Sequence, residues 1–279
     1  MPSKRTKKKQ KTKSLASQAD RHRLYELSVQ SPPEEVDFIQ DTFRDIRGRK
    51  AHRLREDFCG TAGVCCEWVG RSKKNRAIGV DWDPDVLGWG KANNLSKLSG
   101  NEKKRVSLLQ EDVLRARTDP VDVVAAMNFS YWLLDDRKSL KRYFKSVRRA
   151  LVEDGIFFLD AYGGYDSFRE IEEDREIAED GYEFTYIWDQ ANFNPITNHL
   201  KCHIHFSFAD GSHLDRAFSY KWRMWTLPEI KDLLEECRFR NVTFFWQGFD
   251  ADGEANGEFA PVTEADADAG WICYITAER

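Results

Sequence analysis

The sequence predicts an α/β fold in which a doubly wound parallel sheet carries an inserted antiparallel β-meander. Two observations support this. Between residues 51 and 180, short apolar runs alternate with helical stretches, as in a sheet covered by helices on both faces. Residues 181–225 instead contain long β-type runs without an intervening helix. One amphipathic helix and a final pair of strands within 226–279 then return to the main sheet.

The length and composition of the chain exclude several classes of protein. A chain of 279 residues can form one large domain with an insertion and bury a core without disulfides. Its six cysteines are scattered and form no CxxC pair, which favours a reducing compartment. No apolar run approaches the roughly 20 residues of a membrane helix, and no apolar stretch follows the basic N-terminus. We therefore expect a cytoplasmic protein that does not bind membranes.

Charge is distributed unevenly along the chain. Seven Lys and Arg residues lie within 4–13, and because the formal net charge is −4, the remainder carries about −11. Residues 1–14 are expected to form a disordered basic tail through which RNA or DNA could bind weakly. The acidic remainder argues against nucleic acid as a partner, because phosphate binding needs Lys and Arg on the folded surface. The acidic stretch 250–268 is predicted to be a mobile loop.

Residues 15–50 are predicted to form an N-terminal helical cap. The first part, 15–30, has helical composition. Ser31 then precedes two prolines and two glutamates, a typical helix start because proline in the first turn loses no intrahelical hydrogen bond. This second helix should end at about Arg47, because Gly48 favours helix termination.

The elements of the core, 51–180, follow from apolar runs and the residues that flank them. Each predicted strand is short and is bounded by turn or helix-start residues. The run VDVVAAMNF is mostly apolar, as expected of a central strand buried on both faces. Strands are predicted at about 52–57, 77–81, 106–110, 121–129 and 155–162, and helices at about 64–71, 84–98 and 137–151.

The meander predicted for 181–225 is rich in aromatic residues. It contains eleven Phe, Tyr and Trp side chains, and its last two strands are separated by the turn sequence ADGS. Half of these rings should form the buried face of an antiparallel sheet. The remainder could bind an aromatic ring, or an amine by cation–π contact, so the meander is expected to act as a substrate lid. One of Trp222 and Trp225 should face the pocket while the other packs below it.

Four predicted strand ends carry residues that are suited to ligand binding. In open α/β sheets, ligands lie beyond the carboxyl ends of the strands. The small residues around Gly60 allow a ligand to approach the backbone closely. Asp81 could accept both hydroxyls of a ribose, and Asp112 could accept the exocyclic amino group of adenine. Asn128 ends the fourth strand, where the reacting end of a cofactor would lie.

In this order and spacing, the strand ends resemble those of class I S-adenosylmethionine-dependent methyltransferases, especially members that methylate small molecules beneath a β-lid. EDFCGTAG is similar to the first motif of that family, IGVDWDPDVL to the second and LLQEDVL to the third. VVAAMNFSYWLL and DGIFFLDAY are similar to the fourth and fifth. The resemblance covers 50–160 and implies a Rossmann-like sheet of seven strands with the last strand antiparallel. Phe58 and Ala62 replace glycines of the family pattern, which affects the expected path of the loop.

The resemblance implies that S-adenosylmethionine is the cofactor and that the first motif holds its methionine part. Glu56, Gly60 and Thr61 would line that part of the molecule. Cys59 lies in the same turn, where its thiol is expected to pack rather than to act as a nucleophile. Asn128 would lie near the sulfonium with its backbone carbonyl.

The resemblance assigns the adenosine part of the cofactor to the second and third motifs. Asp81 would hold the ribose hydroxyls, with Trp82 against the adenine. Asp112 would accept a hydrogen bond from the adenine amino group. The backbone N–H of Val113 would donate to the same ring.

The sequence thus predicts a methyltransferase that acts on an N or O nucleophile of a small molecule. Because the cofactor already activates the methyl group, the protein mainly positions and desolvates the reactants, and no acid–base pair is evident. Tyr131 and Tyr25 are the candidate catalytic residues. His203 and His205 share one face of a predicted strand without a third ligand, so no metal site is expected.

Two alternative functions remain open at this stage. An RNA- or protein-directed methyltransferase could use the basic tail to bind its substrate. An NAD-dependent oxidoreductase could use Asp81 for the nicotinamide ribose, although the turn reads CGTAG rather than GxGxxG. The sequence predicts neither the identity of the methyl acceptor nor the oligomeric state.

Overall fold

The computed structural model describes residues 13–250 and 255–279, which form two β-sheets and seven α-helices. The helices are α1 (Arg21–Val29), α2 (Pro32–Arg47), α3 (Gly63–Arg71), α4 (Pro84–Asn93), α5 (Gly100–Lys103), α6 (Arg137–Ala150) and α7 (Leu227–Glu236). The strands are β1 (Arg53–Asp57), β2 (Arg76–Asp81), β3 (Val106–Gln110), β4 (Val121–Ala126), β5 (Leu151–Gly163), β6 (Ile171–Glu179), β7 (Tyr182–Asn194), β8 (His199–Ser207), β9 (His213–Arg223), β10 (Arg240–Phe249), β11 (Ala255–Val262) and β12 (Trp271–Glu278). Most of the predicted basic tail, residues 1–12, lies outside the described residues.

The N-terminal cap consists of a short 3-10 helix, Ala16–Gln18, followed by α1 and α2. The Asp20 carboxylate accepts hydrogen bonds from backbone amides in the first turn of α1 and so fixes where that helix begins. Helix α2 begins at Pro32 and ends before Gly48, whose left-handed φ of 66° is typical of a helix C-cap. The predicted bounds of the second helix are confirmed, whereas 15–30 forms two shorter helical pieces.

The main sheet has the strand order β11-β10-β12-β5-β4-β1-β2-β3. Strands β3, β2, β1, β4 and β5 are parallel, whereas β12 runs antiparallel to both β5 and β10. Apart from β11, this is the predicted doubly wound sheet of seven strands with its last strand antiparallel. The carboxyl ends of the parallel strands lie along one edge, where the loops after β1, β2 and β4 come together.

An eighth strand, β11, extends the main sheet and corrects the prediction of a mobile loop at 250–268 for residues 255–262. Residues 251–254 of that stretch lie outside the described residues, and residues 263–268 form neither helix nor strand. Strand β11 pairs antiparallel with β10, so that Phe259 lies opposite Gln247. The Phe259 ring stacks on Tyr274, with 3.9 Å between the ring centroids. The acids and glycines of this stretch resemble a loop in composition, but pairing at the sheet edge and the stacked ring stabilise a strand.

The second sheet, which we call the lid sheet, has the order β6-β7-β8-β9 and is antiparallel throughout. It begins at Ile171, so the meander starts before the predicted boundary at 181. Acidic residues dominate β6 and conceal its alternation, since Ile171 and Ile177 are partly buried among exposed neighbours. The inner face of the lid sheet packs on α1 through Leu24 and Phe206.

Helices cover both faces of the main sheet and bury two apolar clusters. Helices α2 and α3 lie on one face, where Phe43 and Trp68 are fully buried. Helices α6 and α7 cover the other face, with Phe144 and Leu233 in the interior. Within the described part of the chain, no helix is long and apolar enough to cross a membrane.

Candidate active site

The loop between β1 and α3 passes over the carboxyl end of β2. Phe58, Gly60 and Ala62 all have left-handed backbone conformations, with φ of 58°, 51° and 60°. The backbone N–H of Gly60 donates to a carboxylate oxygen of Asp81 at 2.9 Å, which ties the loop to the end of β2. Phe58 and Ala62 thus adopt a left-handed backbone conformation that glycine would adopt without strain.

A cavity of about 260 Å³, which we call the loop cavity, lies between this loop, α1 and the lid sheet. The cofactor-binding residues implied by the sequence that line it are Glu56, Gly60, Thr61, Asp81, Trp82 and Asn128. Helix α1 contributes Arg21, His22 and Tyr25 to the wall. The Glu26 carboxylate accepts hydrogen bonds from the side chains of Thr61 and Asn94, so α1 is fixed over the cavity.

The structure does not bring the other three implied residues to the wall of the loop cavity. Cys59 is buried beneath the loop, where a Cβ placed on Gly79 would lie 2.8 Å from its sulfur. Burial raises the pKa of the Cys59 thiol well above its ordinary value, which disfavours the thiolate that a nucleophile needs. The Asp112 carboxylate accepts from the backbone N–H of Leu114 at 2.9 Å, and Val113 packs in the core.

Five buried acids lie around the loop cavity and its inner end. Asp57 is paired with the buried Arg55, 2.7 Å away. The other four, Glu35 (6% exposed), Glu56 (8%), Asp81 (9%) and Asp160 (4%), form no ion pair with a Lys, Arg or His of the described residues. Burial raises the pKa of Glu35 to about 8, and those of Glu56 and Asp160 to about 7. Such a site favours a positively charged ligand, which would compensate the buried carboxylates.

The turn after β4 is held by Asp160, a residue that the sequence reasoning missed. Asn128 and Phe129 have left-handed φ values of 57° and 56°, which end the strand at Ala126 and not at the predicted residue 129. The Asp160 carboxylate on β5 accepts the backbone N–H groups of both residues, at 2.7 and 2.9 Å. A signal was present, because Asp160 is the one charged residue in the apolar run GIFFLDAY.

A second cavity of about 460 Å³ lies between the inner face of the lid sheet and the carboxyl edge of the main sheet. We call it the aromatic cavity, because its wall includes Phe129, Tyr162, Tyr186, Trp188, Tyr220, Trp222 and Trp271. The rings of Tyr220 and Trp222 stack with 4.5 Å between their centroids. Two acids, Asp166 and Glu173, also line the cavity. Rings of the lid sheet thus face a pocket. Tyr162 and Trp271, which also line it, belong to main-sheet strands that the sequence did not assign to substrate binding.

Tyr131, a candidate from the sequence, borders neither cavity. It is fully buried in the core, and its hydroxyl donates to the Asp160 carbonyl at 2.8 Å. The left-handed turn at 128–129 leads into a 3-10 helix, Ser130–Leu133, that directs this side chain inward. Burial also raises its pKa well above the ordinary value, so Tyr131 is a neutral structural phenol.

Tyr25, Asn128 and Tyr220 line both cavities and mark the junction between them. Tyr25 interacts with Tyr220, and burial raises the pKa of Tyr25 to about 12, so it is neutral at physiological pH and can donate a hydrogen bond. The sequence-derived candidate Tyr25 therefore lies where the two cavities meet. Tyr220 was missed because one tyrosine among the many rings of the meander carries no distinctive signal.

Trp222 and Trp225 have different surroundings. Trp222 lies in β9 and lines the aromatic cavity. Trp225 follows the end of β9 and packs in the core, with its indole N–H donating to the Leu134 carbonyl at 3.2 Å. The Arg223 guanidinium covers its ring at 3.6 Å from the centroid. As predicted, one of the two tryptophans faces a pocket and the other is packed. The reason differs from the predicted one: Trp225 lies beyond the end of β9, so the alternation of side chains along a strand does not apply to it.

The histidines of β8 lie on the face of the lid sheet opposite to the buried Cys202. The His203 ring hydrogen-bonds to the Ser219 hydroxyl at 2.7 Å, and His205 lies 3.4 Å from the Asp189 carboxylate. In residues 13–250 and 255–279, no group of three or more His, Cys, Asp or Glu side chains is arranged to hold a metal ion.

No protein-family model and no curated protein sequence matches the chain. Solved structures do match it. An S-adenosylmethionine-dependent methyltransferase from Clostridium acetobutylicum is 17% identical, with a TM-score of 0.65 over 91% of this chain and 96% of its own. An amino pentose methyltransferase from Micromonospora echinaspora is 14% identical, with a TM-score of 0.66 over 92% and 95%. The sugar N-methyltransferase of a Streptoalloteichus species is 14% identical, with a TM-score of 0.64 over 100% and 98%.

These comparisons establish the fold. The main sheet and the lid sheet together have the architecture of S-adenosylmethionine-dependent methyltransferases, over nearly the full length of the chains compared. The fold implied by the sequence motifs is thereby confirmed.

Proposed function

We propose that this protein is an S-adenosylmethionine-dependent methyltransferase that transfers a methyl group to an N or O nucleophile of a small molecule. The observation that carries the proposal is the junction of the loop cavity and the aromatic cavity at Tyr25, Asn128 and Tyr220. One cavity is bordered by strand-end acids and the other by aromatic rings, so a charged cofactor and a small acceptor could meet there. The shared fold supports this assignment.

The loop cavity fits the chemistry of the cofactor. S-adenosylmethionine carries an ammonium and a sulfonium, and Glu35, Glu56 and Asp160 are buried near this cavity without an ion pair to a cation of the described chain. The two Asp81 oxygens each accept one backbone N–H, from Gly60 and Asp83, which leaves lone pairs for the ribose hydroxyls. Trp82 is 73% exposed and can cover the adenine. When bound, the cofactor supplies a methyl group that is already activated for transfer.

The aromatic cavity fits a small acceptor. Its volume of about 460 Å³ is within the range of small-molecule pockets, and its lining is mainly apolar with a few polar groups. The lid sheet covers it, which would exclude water from the reacting groups. Two of the similar structures are named as an amino pentose methyltransferase and a sugar N-methyltransferase, which supports an acceptor of this size.

Isothermal titration calorimetry of the full chain with S-adenosylmethionine, S-adenosylhomocysteine and NAD tests the proposal. We expect the first two ligands to bind with micromolar or tighter affinity and NAD to show no binding. Binding of NAD alone would favour the oxidoreductase alternative. Binding of none of the three would contradict cofactor binding in the loop cavity.

A further inference from the structure

Glu35 is a buried acid in the first turn of α2. Acids in the first turn of a helix interact favourably with its positive end, but the exposed neighbour Glu34 already provides that interaction. Glu35, in contrast, is 6% exposed and forms no ion pair with a Lys, Arg or His of the described residues. Burying a carboxyl group without a cation is unfavourable. Helix stability therefore does not explain its position, whereas a ligand that carries a proton or a positive charge would.

The position of Glu35 links it to the junction of the cavities. It lines the loop cavity and also a side groove that runs between α2, β6 and the turn after β4. Its carboxyl group interacts with the side-chain amide of Asn128. Asn128 in turn borders the loop cavity, the aromatic cavity and the side groove. Glu35 thus shares the walls of the loop cavity and the side groove with the residue around which cofactor and acceptor would meet.

We infer that the acceptor is an amine and that Glu35 takes the proton that this amine must lose before methylation, an inference that rests on the proposed function. In this step an N–H bond of the ammonium breaks and leaves its electron pair on nitrogen, while an O–H bond forms at the Glu35 carboxylate. A cation and an anion become two neutral groups, and the nitrogen gains the lone pair that a nucleophile needs. The proton passes to water when the product leaves, so each ammonium methylated releases one proton.

The groups that face Glu35 suit this role. Glu56 of β1 and Asp160 of β5 are acids, and their charges add to burial in raising the pKa of Glu35 to about 8. Tyr25 of α1 and Tyr274 of β12 also face Glu35. Both are neutral where Glu35 titrates, because burial raises their pKa values. Raising the pKa of Glu35 toward that of an ammonium lowers the free-energy cost of moving a proton from the amine to this carboxylate.

Two cofactor analogues test the inference without knowledge of the acceptor. Sinefungin carries an amine on the carbon that replaces the sulfur, whereas S-adenosylhomocysteine has a neutral sulfur at that position. The ratio of their Kd values cancels the contributions of the adenosine and amino-acid parts, which they share. At pH 8 we expect the wild-type protein to bind sinefungin about tenfold more tightly than S-adenosylhomocysteine, as a charge-assisted hydrogen bond would give. This preference should shrink at pH 6, where Glu35 is protonated.

Three variants separate Glu35 from its surroundings. Glu35→Gln should remove the preference for sinefungin and its pH dependence, while S-adenosylhomocysteine still binds. Glu34→Gln is the matched control, because it makes the same change at the adjacent, exposed position and should leave the ratio unchanged. Glu35→Asp keeps a carboxylate and should restore part of the preference. Thermal melts establish that each variant is folded. If Glu35→Gln does not fold, the pH dependence of the sinefungin preference in Glu35→Asp tests the role of Glu35 instead.

The outcomes distinguish this inference from the proposed function. A wild-type protein that binds both analogues equally at pH 8, or a folded Glu35→Gln variant that keeps the preference, would overturn the role of Glu35. Cofactor binding would then still stand. A wild-type protein that binds neither analogue nor S-adenosylmethionine would instead overturn the proposed function, and the role of Glu35 with it.

Discussion

Replacing Asp81 by alanine tests the assignment of the loop cavity as the cofactor site. The Asp81 carboxylate accepts the backbone N–H of Gly60 at 2.9 Å and that of Asp83 at 3.0 Å. Alanine leaves both amides without this acceptor. Because a hydrogen bond to a charged group contributes about 1.5–3 kcal/mol and water can replace part of it, we expect the free energy of unfolding to decrease by about 1–3 kcal/mol. The variant should therefore be folded but less stable.

Asp81→Ala should also weaken cofactor binding, by an amount comparable with its effect on the stability of the fold. The carboxylate would lose its hydrogen bonds to the ribose, and Gly60 would lose the contact that fixes the loop over the cavity. A loss of about 1.5–3 kcal/mol corresponds to roughly ten- to a hundredfold weaker binding of S-adenosylmethionine.

Calorimetry with S-adenosylmethionine, together with urea denaturation, measures both effects of Asp81→Ala. Asp85→Asn is a suitable control, because it removes an exposed acid from the first turn of α4 without touching the loop. The control should bind the cofactor like the wild type. If the folded Asp81→Ala variant also binds as tightly as the wild type, the ribose is not held by Asp81 and the site assignment is wrong.

Three further predictions follow from the site. Burial raises the pKa of Glu56 from 4.5 and that of Asp160 from 3.8, both to about 7, so the folded state binds more protons than the unfolded state across that range. The free energy of unfolding of the free protein should then decrease as pH rises from about 4 to 7. Cationic S-adenosylmethionine should bind more tightly at pH 8 than at pH 6, and a Kd from calorimetry that does not change with pH would contradict this expectation. Trp225→Ala should decrease the free energy of unfolding by about 3–5 kcal/mol, and Trp222→Ala, at the wall of an existing cavity, by clearly less; thermal and chemical melts that give equal losses would disprove the distinction. Removal of residues 1–12 should leave cofactor affinity unchanged in calorimetry, because the wall of the loop cavity lies between residues 21 and 220. A loss of RNA binding and of its salt dependence in the truncated chain would instead favour the nucleic-acid-directed alternative.

The elements of the fold were predictable where local chemistry decides them. The bounds of α2 follow from proline at its start and Gly48 at its end, and both signals are independent of the rest of the chain. Strand β4 is mostly apolar because helices cover both faces of the sheet, and this is visible in the sequence. The strand-end positions of Gly60 and Asp81 follow from the same pattern.

What the sequence could not provide depends on contacts between distant segments. The strand β11 exists because β10 offers an edge to pair with, and its own composition suggests a loop. Tyr131 was a candidate catalytic residue, but the turn after β4 directs its side chain into the core. Tyr220 was not a candidate, but the lid sheet places it at the junction of the two cavities. Glu35 was interpreted only as a helix-start residue, because its burial depends on how α2 packs against the main sheet.

The contact between Asp160 and the turn after β4 has a consequence for protein engineering. The conformation of Asn128 and Phe129 is specified partly by a side chain 32 residues further along the chain from Asn128, on the neighbouring strand. Two adjacent non-glycine residues in the left-handed region are strained on their own, and the two backbone hydrogen bonds that the Asp160 carboxylate accepts offset that strain. A loop transplanted into a related enzyme as the sequence MNFSYW alone would therefore relax to another conformation. A functional transplant has to carry the acid of β5 with it, so the unit of exchange is a pair of neighbouring strands and not a loop.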